Sequence, residues 1–255
     1  MAEKTVELRV KRQDGPDAPP RWEHFSVPHK PGMNIISCLI EIARNPVTTE
    51  GNKTTPVQWE CSCLEEVCGS CTMRINGQPR QSCSALVDKL EQPITMEPLS
   101  KFPVIRDLAV DRARMFENLK RVKAWIPIDG TYDLGPGPRM GHDLQQDRYD
   151  ISRCMTCACC MEVCPQVNLK PAPLQNHFIG PAAVAQVKFF NAHPTGGSLA
   201  GERLDEMMGE GGLHECGNAQ NCIAACPKEI RLTDAIAEVG RQVTVHAVKK
   251  FFGRG

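Results

Sequence analysis

Val6, Leu8 and Val10 alternate with polar residues across residues 5 to 10, and that period of two predicts a strand with one buried face. A second short strand fits Trp22 to Val27, with "DGPDAPP" between them as hairpin or longer-loop chemistry. The period changes after Pro31-Gly32. "NIISCLIEIARN" puts Ile35, Ile36, Leu39, Ile42 and Ala43 on one helical face behind a cap at Asn34. "TMRINGQPRQS" returns to short extended segments around Asn76-Gly77, a dipeptide suited to the type I′ turn of a hairpin. The pattern therefore predicts a small mixed sheet, one packed helix, and a cysteine-rich loop over residues 61 to 71. This domain is expected over residues 1–105.

Residues 106–255 read differently. A helix is expected from about Leu108 to Ala124, followed by "IPIDGTYDLGPGPRMGHD", which is rich in turn formers. "GPAAVAQVKFFNAHP", "SLAGERLDEMM" and "LTDAIAEVGRQVTVHAVKKFF" carry helical apolar recurrences separated by Pro and Gly. The expected class is α+β: a mixed-sheet domain and then a mainly helical one.

Composition narrows the chemistry. Lys+Arg and Asp+Glu are 30 each in 255 residues, for a net charge of +0, with no basic block to mark nucleic-acid binding. No apolar signal-peptide core and no uncharged apolar run of membrane-spanning length is seen, so a cytoplasmic chain is expected. Fourteen cysteines in such a chain argue for metal or cluster ligation over disulfides.

Those cysteines fall into three frames. Cys63, Cys68, Cys71 and Cys83 follow the C-x4-C-x2-C…C spacing of a plant-type [2Fe-2S] site. Gly69 permits close backbone approach in the loop. A structural zinc site is the alternative, although zinc favours two short pairs. Cys154, Cys157, Cys160 and Cys164, with Pro165 after them, reproduce the bacterial ferredoxin run, in which the fourth cysteine serves the other cluster. Cys159 is off this register and is read as a spare, packed residue. The third frame, "CGNAQNCIAACP", has Cys216, Cys222 and Cys226 but Ala219 where a second cysteine would stand. Exchanging the fourth cysteines assigns Cys154, Cys157, Cys160 and Cys226 to a [4Fe-4S] cluster. Only Cys164, Cys216 and Cys222 remain for the other site, which suits a [3Fe-4S] cluster. A [4Fe-4S] cluster with an open, non-protein corner, or a zinc-bearing module, stays as an alternative.

Three different clusters in one chain make an electron wire. No dinucleotide fingerprint, P-loop or H-E-x-x-H motif is present, so the reactions at its two ends are expected on partners. His142, His177, His193 and His214 share no ligand spacing and read as exposed or capping residues. Cys38 and Cys61 read as buried small side chains. Arg106, Arg112 and Arg114 read as a solvated helix face or a surface for a partner.

"CSCLEEVCGSC" with Cys83, "RCMTCACCMEVCP" and "CGNAQNCIAACPKEI" together resemble the iron–sulfur subunits of succinate dehydrogenase and fumarate reductase. "FPVIRDLAVDRARMF" is similar to that family's interdomain segment. The resemblance implies a β-grasp plant-type ferredoxin domain followed by a helical bacterial-type ferredoxin domain. It implies a flavoprotein partner with covalent FAD at one end and a membrane-anchor cytochrome b, with or without haem b, at a quinone at the other. The chain would then lie peripherally on the cytoplasmic side of the membrane. Ubiquinone-using relatives place a tryptophan and a histidine where this chain has Leu169 and Gly217, so the resemblance points to menaquinone. "PVQWECSCLEEVCGSC" and "GPGPRMG" resemble succinate dehydrogenases, and succinate oxidation is the expected direction; fumarate reduction, or a ferredoxin-like subunit of another oxidoreductase, is the alternative.

Overall fold

The computed structural model describes residues 4–127, 138–167 and 178–253. Leu169, His177 and much of the turn-rich stretch before Pro138 lie outside the described residues. In chain order the elements are β1 (Thr5–Arg12), β2 (Arg21–Pro28), α1 (Ile35–Arg44), β3 (Thr72–Ile75), β4 (Gln78–Gln81), β5 (Ile94–Glu97), β6 (Val104–Arg106) and β7 (Ala109–Val110). Then follow α2 (Ala113–Arg121), α3 (His142–Ser152), α4 (Cys159–Glu162), α5 (Pro181–Asn191), α6 (Ala200–Met208), α7 (Asn221–Ala224) and α8 (Leu232–Phe251). They form two compact units. One comprises residues up to Arg112 together with Met155–Glu162; the other comprises Ala113–Cys154 and the chain from Val163 onward.

The first unit is built on a five-stranded sheet in the order β2-β1-β5-β3-β4. β1 pairs antiparallel with β2 and parallel with β5, and β3 pairs antiparallel with both β4 and β5. This mixed topology, with α1 laid on the sheet, is the β-grasp arrangement. Val6, Leu8 and Val10 of β1 meet Ile35, Ile36, Leu39 and Ile42 of α1 in one core. Burying each such side chain is worth about 1.5–3 kcal/mol, and the period-two and period-3.6 patterns exist to bring these two faces together. Asn34 caps α1 by accepting a hydrogen bond from the Ser37 N–H at 2.9 Å. Asn76 and Gly77 turn β3 into β4 with φ of 47° and 79°.

The helix expected from Leu108 begins instead at Ala113. Leu108, Ala109 and Val110 are all buried, and Arg106 pairs with Ala109 across a two-residue turn. Asp107, at φ 48°, makes that turn and is itself fully buried. Its carboxylate accepts from Arg12 Nε at 2.9 Å and Arg12 Nη2 at 3.2 Å, and from the Gln13 and Gln58 N–H groups at 3.1 and 2.9 Å. Long-range partners thus override the local helical pattern.

In the second unit α5 is the central helix. Pro181 occupies its first turn, and Ala182, Ala183, Val184, Ala185 and Val187 are all buried. α8 packs on it through Leu232, Ala235 and Val239. Arg203 of α6, fully buried, donates to the carbonyls of Gly196, Lys123 and Trp125 at 2.7, 3.0 and 2.9 Å and to Asn191 Oδ1 at 3.1 Å. Among the described residues, no helix is long and apolar enough to cross a membrane.

Candidate metal centres

Loop 61–71 is shaped by backbone in the left-handed region at Leu64, Glu66 and Gly69. These turns aim N–H groups inward. The amides of Glu65, Val67 and Cys68 lie 3.4, 3.4 and 3.3 Å from Cys63 Sγ, and the Ser70 amide lies 3.5 Å from Cys68 Sγ. Such a nest of donors favours an anionic sulfur. The Cys68 thiol is accordingly pulled down to about 6, by the Cys63 backbone first and then by the Ser70 hydroxyl. Cys71 and Cys83 hydrogen-bond to each other, and burial pushes the Cys71 thiol up to about 11. Cys83 arrives just after β4, where Asn34 Nδ2 donates to its carbonyl at 2.8 Å.

The four thiols therefore meet as two pairs, Cys63 with Cys68 and Cys71 with Cys83. A cluster of two irons with four protein thiolates takes two on each iron, so this donor set fits a [2Fe-2S] group. Among the described residues, no three His, Cys, Asp or Glu side chains are grouped as they would be around one metal ion.

The segment Met155–Glu162 carries Cys157 and Cys160 in the first unit. Thr156 and Ala158 are left-handed, at φ 52° and 75°. Cys159 is fully buried; its thiol hydrogen-bonds to Cys157, pulling the Cys157 thiol down to about 7 and pushing its own up. Gln81 Nε2 lies 3.5 Å from Cys159 Sγ. Glu162 anchors the segment. It accepts from the Ser100 N–H and hydroxyl at 2.9 and 2.6 Å and from the Lys101 N–H at 3.2 Å. Cys154, after α3, and Cys226, after α7, belong to the second unit.

Cys164, Cys216 and Cys222 line one pocket of the second unit, of about 350 Å³ including its open mouth. Ala219 lines the same pocket, at a bend where Asn218 and Gln220 have φ of 52° and 62°. Burial first, and then the charges of Cys164 and Cys216, push the Cys222 thiol up. Three cysteines and an alanine line a common space, a donor set that fits a cluster with three thiolate ligands. A Cβ on Gly217 would stand 2.5 Å from Gln166 Nε2, so the glutamine amide fills the space over that glycine.

Of the residues outside the frames, Cys38 and His193 are as expected, whereas Cys61 and Arg112 differ. Cys38 is buried, with its thiol pushed up to about 12 by burial, but Cys61 is exposed. His193 caps locally, its Nδ1 accepting from the Thr195 and Gly196 N–H groups at 3.1 and 3.0 Å. Arg112 is not on a solvated helix face: it precedes α2 and binds the backbone of the cysteine loop. Nothing in its own neighbourhood of the sequence signals this role.

Comparison with known proteins agrees with this geometry. A model of a 2Fe-2S iron–sulfur cluster binding domain matches residues 7–117, and a model of a 4Fe-4S dicluster domain matches residues 150–230. These folds and thiol frames define a multi-cluster, ferredoxin-type electron carrier. The chain is 56% identical over 251 residues to the succinate dehydrogenase iron–sulfur subunit of Bacillus subtilis, covering 98% of this chain and 97% of that one. It is 34% identical to the fumarate reductase iron–sulfur subunit of Mycobacterium tuberculosis, over 77% of each chain. A chain of the Mycobacterium smegmatis Sdh1 complex in the apo form superposes with a TM-score of 0.75 at 26% identity, over 95% of this chain and 96% of that one. The chain belongs to the family of succinate dehydrogenase and fumarate reductase iron–sulfur subunits.

Proposed function

We propose that this chain is the wire of a succinate:quinone oxidoreductase running from succinate to quinone. A flavoprotein subunit carrying FAD would oxidise succinate, and a membrane-anchor cytochrome b would hold the chain peripherally at the cytoplasmic face of the membrane. Cys63, Cys68, Cys71 and Cys83 hold a [2Fe-2S] cluster; Cys154, Cys157, Cys160 and Cys226 a [4Fe-4S] cluster; Cys164, Cys216 and Cys222 a [3Fe-4S] cluster. These groups supply one-electron steps between a two-electron flavin and a quinone. The chain's own residues supply thiolates, inward N–H donors and exclusion of water, and no residue of this chain acts as an acid or base on succinate.

The observation that carries the reading is Ala219 in the pocket of Cys164, Cys216 and Cys222. A side chain without a donor atom, where the ferredoxin run would put a thiolate, suits a three-iron cluster. The 56% identity to a succinate dehydrogenase subunit supports the direction. Gly217, beside that pocket, offers no ring-bearing donor, which favours menaquinone with its site on the anchor.

Low-temperature EPR of the complex tests this. An oxidised three-iron signal that disappears on adding succinate, together with a [2Fe-2S] signal on reduction, is the expected result. An oxidised state lacking the three-iron signal would overturn the Ala219 reading. A three-iron signal indifferent to succinate would leave the wire and replace its donor.

A further inference from the structure

Arg112 ends the first unit, and its side chain is 13% exposed. Its Nη1 donates to the Gly69 carbonyl at 2.7 Å, and its Nη2 donates to the Ser70 carbonyl. Gly69 and Ser70 are the two residues between Cys68 and Cys71. Nη2 also faces Glu60 Oε2 at 3.4 Å, at the solvent edge. Nε is buried and has no hydrogen-bond partner among the described residues.

Gly69 has a second neighbour. A Cβ built on it would fall 2.8 Å from both Cα and Cβ of Cys157 and 3.0 Å from the Met155 carbonyl oxygen. The loop of the first cysteine frame and the start of the second therefore touch backbone to backbone, with no room for a side chain between them.

We propose that Arg112 is a positioning residue for electron transfer between the first two clusters. It fixes the Gly69–Cys157 contact and raises the reduction potentials of the clusters held by the two loops. The inference rests on the cluster assignment above. The guanidinium is permanently charged and forked, so it can bind two successive carbonyls and still present a cation to both loops. Reduction adds one negative charge to a cluster, and a nearby cation stabilises the reduced form.

The test is an EPR-monitored redox titration of the assembled complex with Arg112→Gln, Arg112→Lys and Glu60→Gln. For Arg112→Gln, the one-electron equilibrium constant of [4Fe-4S] reduction is expected to fall three- to tenfold, about 28–59 mV at 59 mV per decade. The [2Fe-2S] potential falls in the same sense, and the [3Fe-4S] potential, whose ligands lie in the second unit, stays in place as internal reference. Arg112→Lys keeps the charge and recovers most of the shift. Glu60→Gln, a change at a half-exposed side chain, removes the counter-charge and moves both potentials upward. Arg112→Gln with all potentials unmoved, or with all three displaced equally, would overturn the proposal. If Arg112→Gln does not assemble, an unmoved pair of potentials in Glu60→Gln overturns it instead. A wild-type complex lacking a [4Fe-4S] signal would overturn the cluster assignment itself, an outcome separable from any variant's shift.

Discussion

Asp107 and Arg12 are both fully buried and joined by two charge-assisted hydrogen bonds. Removing Asp107 leaves Arg12 with only the Glu23 carboxylate, 2.5 Å from Nη1, as its counter-charge, and breaking a buried pair costs about 3–5 kcal/mol. Asp107→Ala is therefore expected to bring loss of [2Fe-2S] absorbance to clearly lower urea concentration, while Asp88→Ala, at an exposed pair, leaves the midpoint within error. Ala219→Cys restores a fourth thiolate beside Cys164, Cys216 and Cys222. Its expected result is loss of the oxidised three-iron EPR signal and gain of a second reduced four-iron signal; retention of the three-iron signal would contradict the reading of that corner. At this scale the eleven ligand candidates were legible because cluster ligation writes its spacing into short, local runs. Arg112 and Asp107 were not, since their partners lie more than forty residues away.

Elements showed the same division. Strand β1, helix α1 and the Asn76-Gly77 hairpin follow from period and turn chemistry, which are local properties. Strand β5 has only four residues, and the helix expected at Leu108 gave way to a hairpin whose turn is held by Arg12. Helix α1 illustrates how an element positions a ligand. Asn34 spends its carbonyl oxygen on the Ser37 N–H and its amide nitrogen on the Cys83 carbonyl. Asn34→Ala is expected to cost about 1 kcal/mol from the lost cap, and it also frees the backbone of Cys83. Asn34→Asp keeps the cap alone, so comparing [2Fe-2S] retention in the two variants under denaturant separates the roles. Gly69→Ala combines a left-handed backbone costing about 1–2 kcal/mol with a Cβ driven into Cys157. Iron content of the purified complex should fall for both clusters that flank this contact; full content would show that the loops can part without consequence.

Over the whole molecule, the two units differ in what holds them. The first has a continuous apolar core between sheet and α1. The second has its central helix, but its segments around Cys216 and Cys222 are short turns with residues in the left-handed region and little apolar support of their own. Metal binding in such places is part of folding free energy. Chelation of iron is expected to speed hydrogen exchange across residues 216–227 and 61–71 while β1 and β2 remain protected; loss of protection in β1 at the same iron level would show that the sheet depends on its cluster. The class of each half was legible in the sequence because strand and helix periods differ, whereas the return of Met155–Glu162 to the first unit had no local signal. The exposed Cys61 has a practical consequence. Of fourteen cysteines, eleven are assigned to iron, and Cys38 and Cys159 are sealed from solvent. A maleimide added to the loaded chain should thus attach once. Each departing cluster would release its own set of thiols to the reagent, four for either four-cysteine cluster and three for the three-cysteine one, so that the mass of the labelled chain becomes a tally of how many metal groups are still aboard.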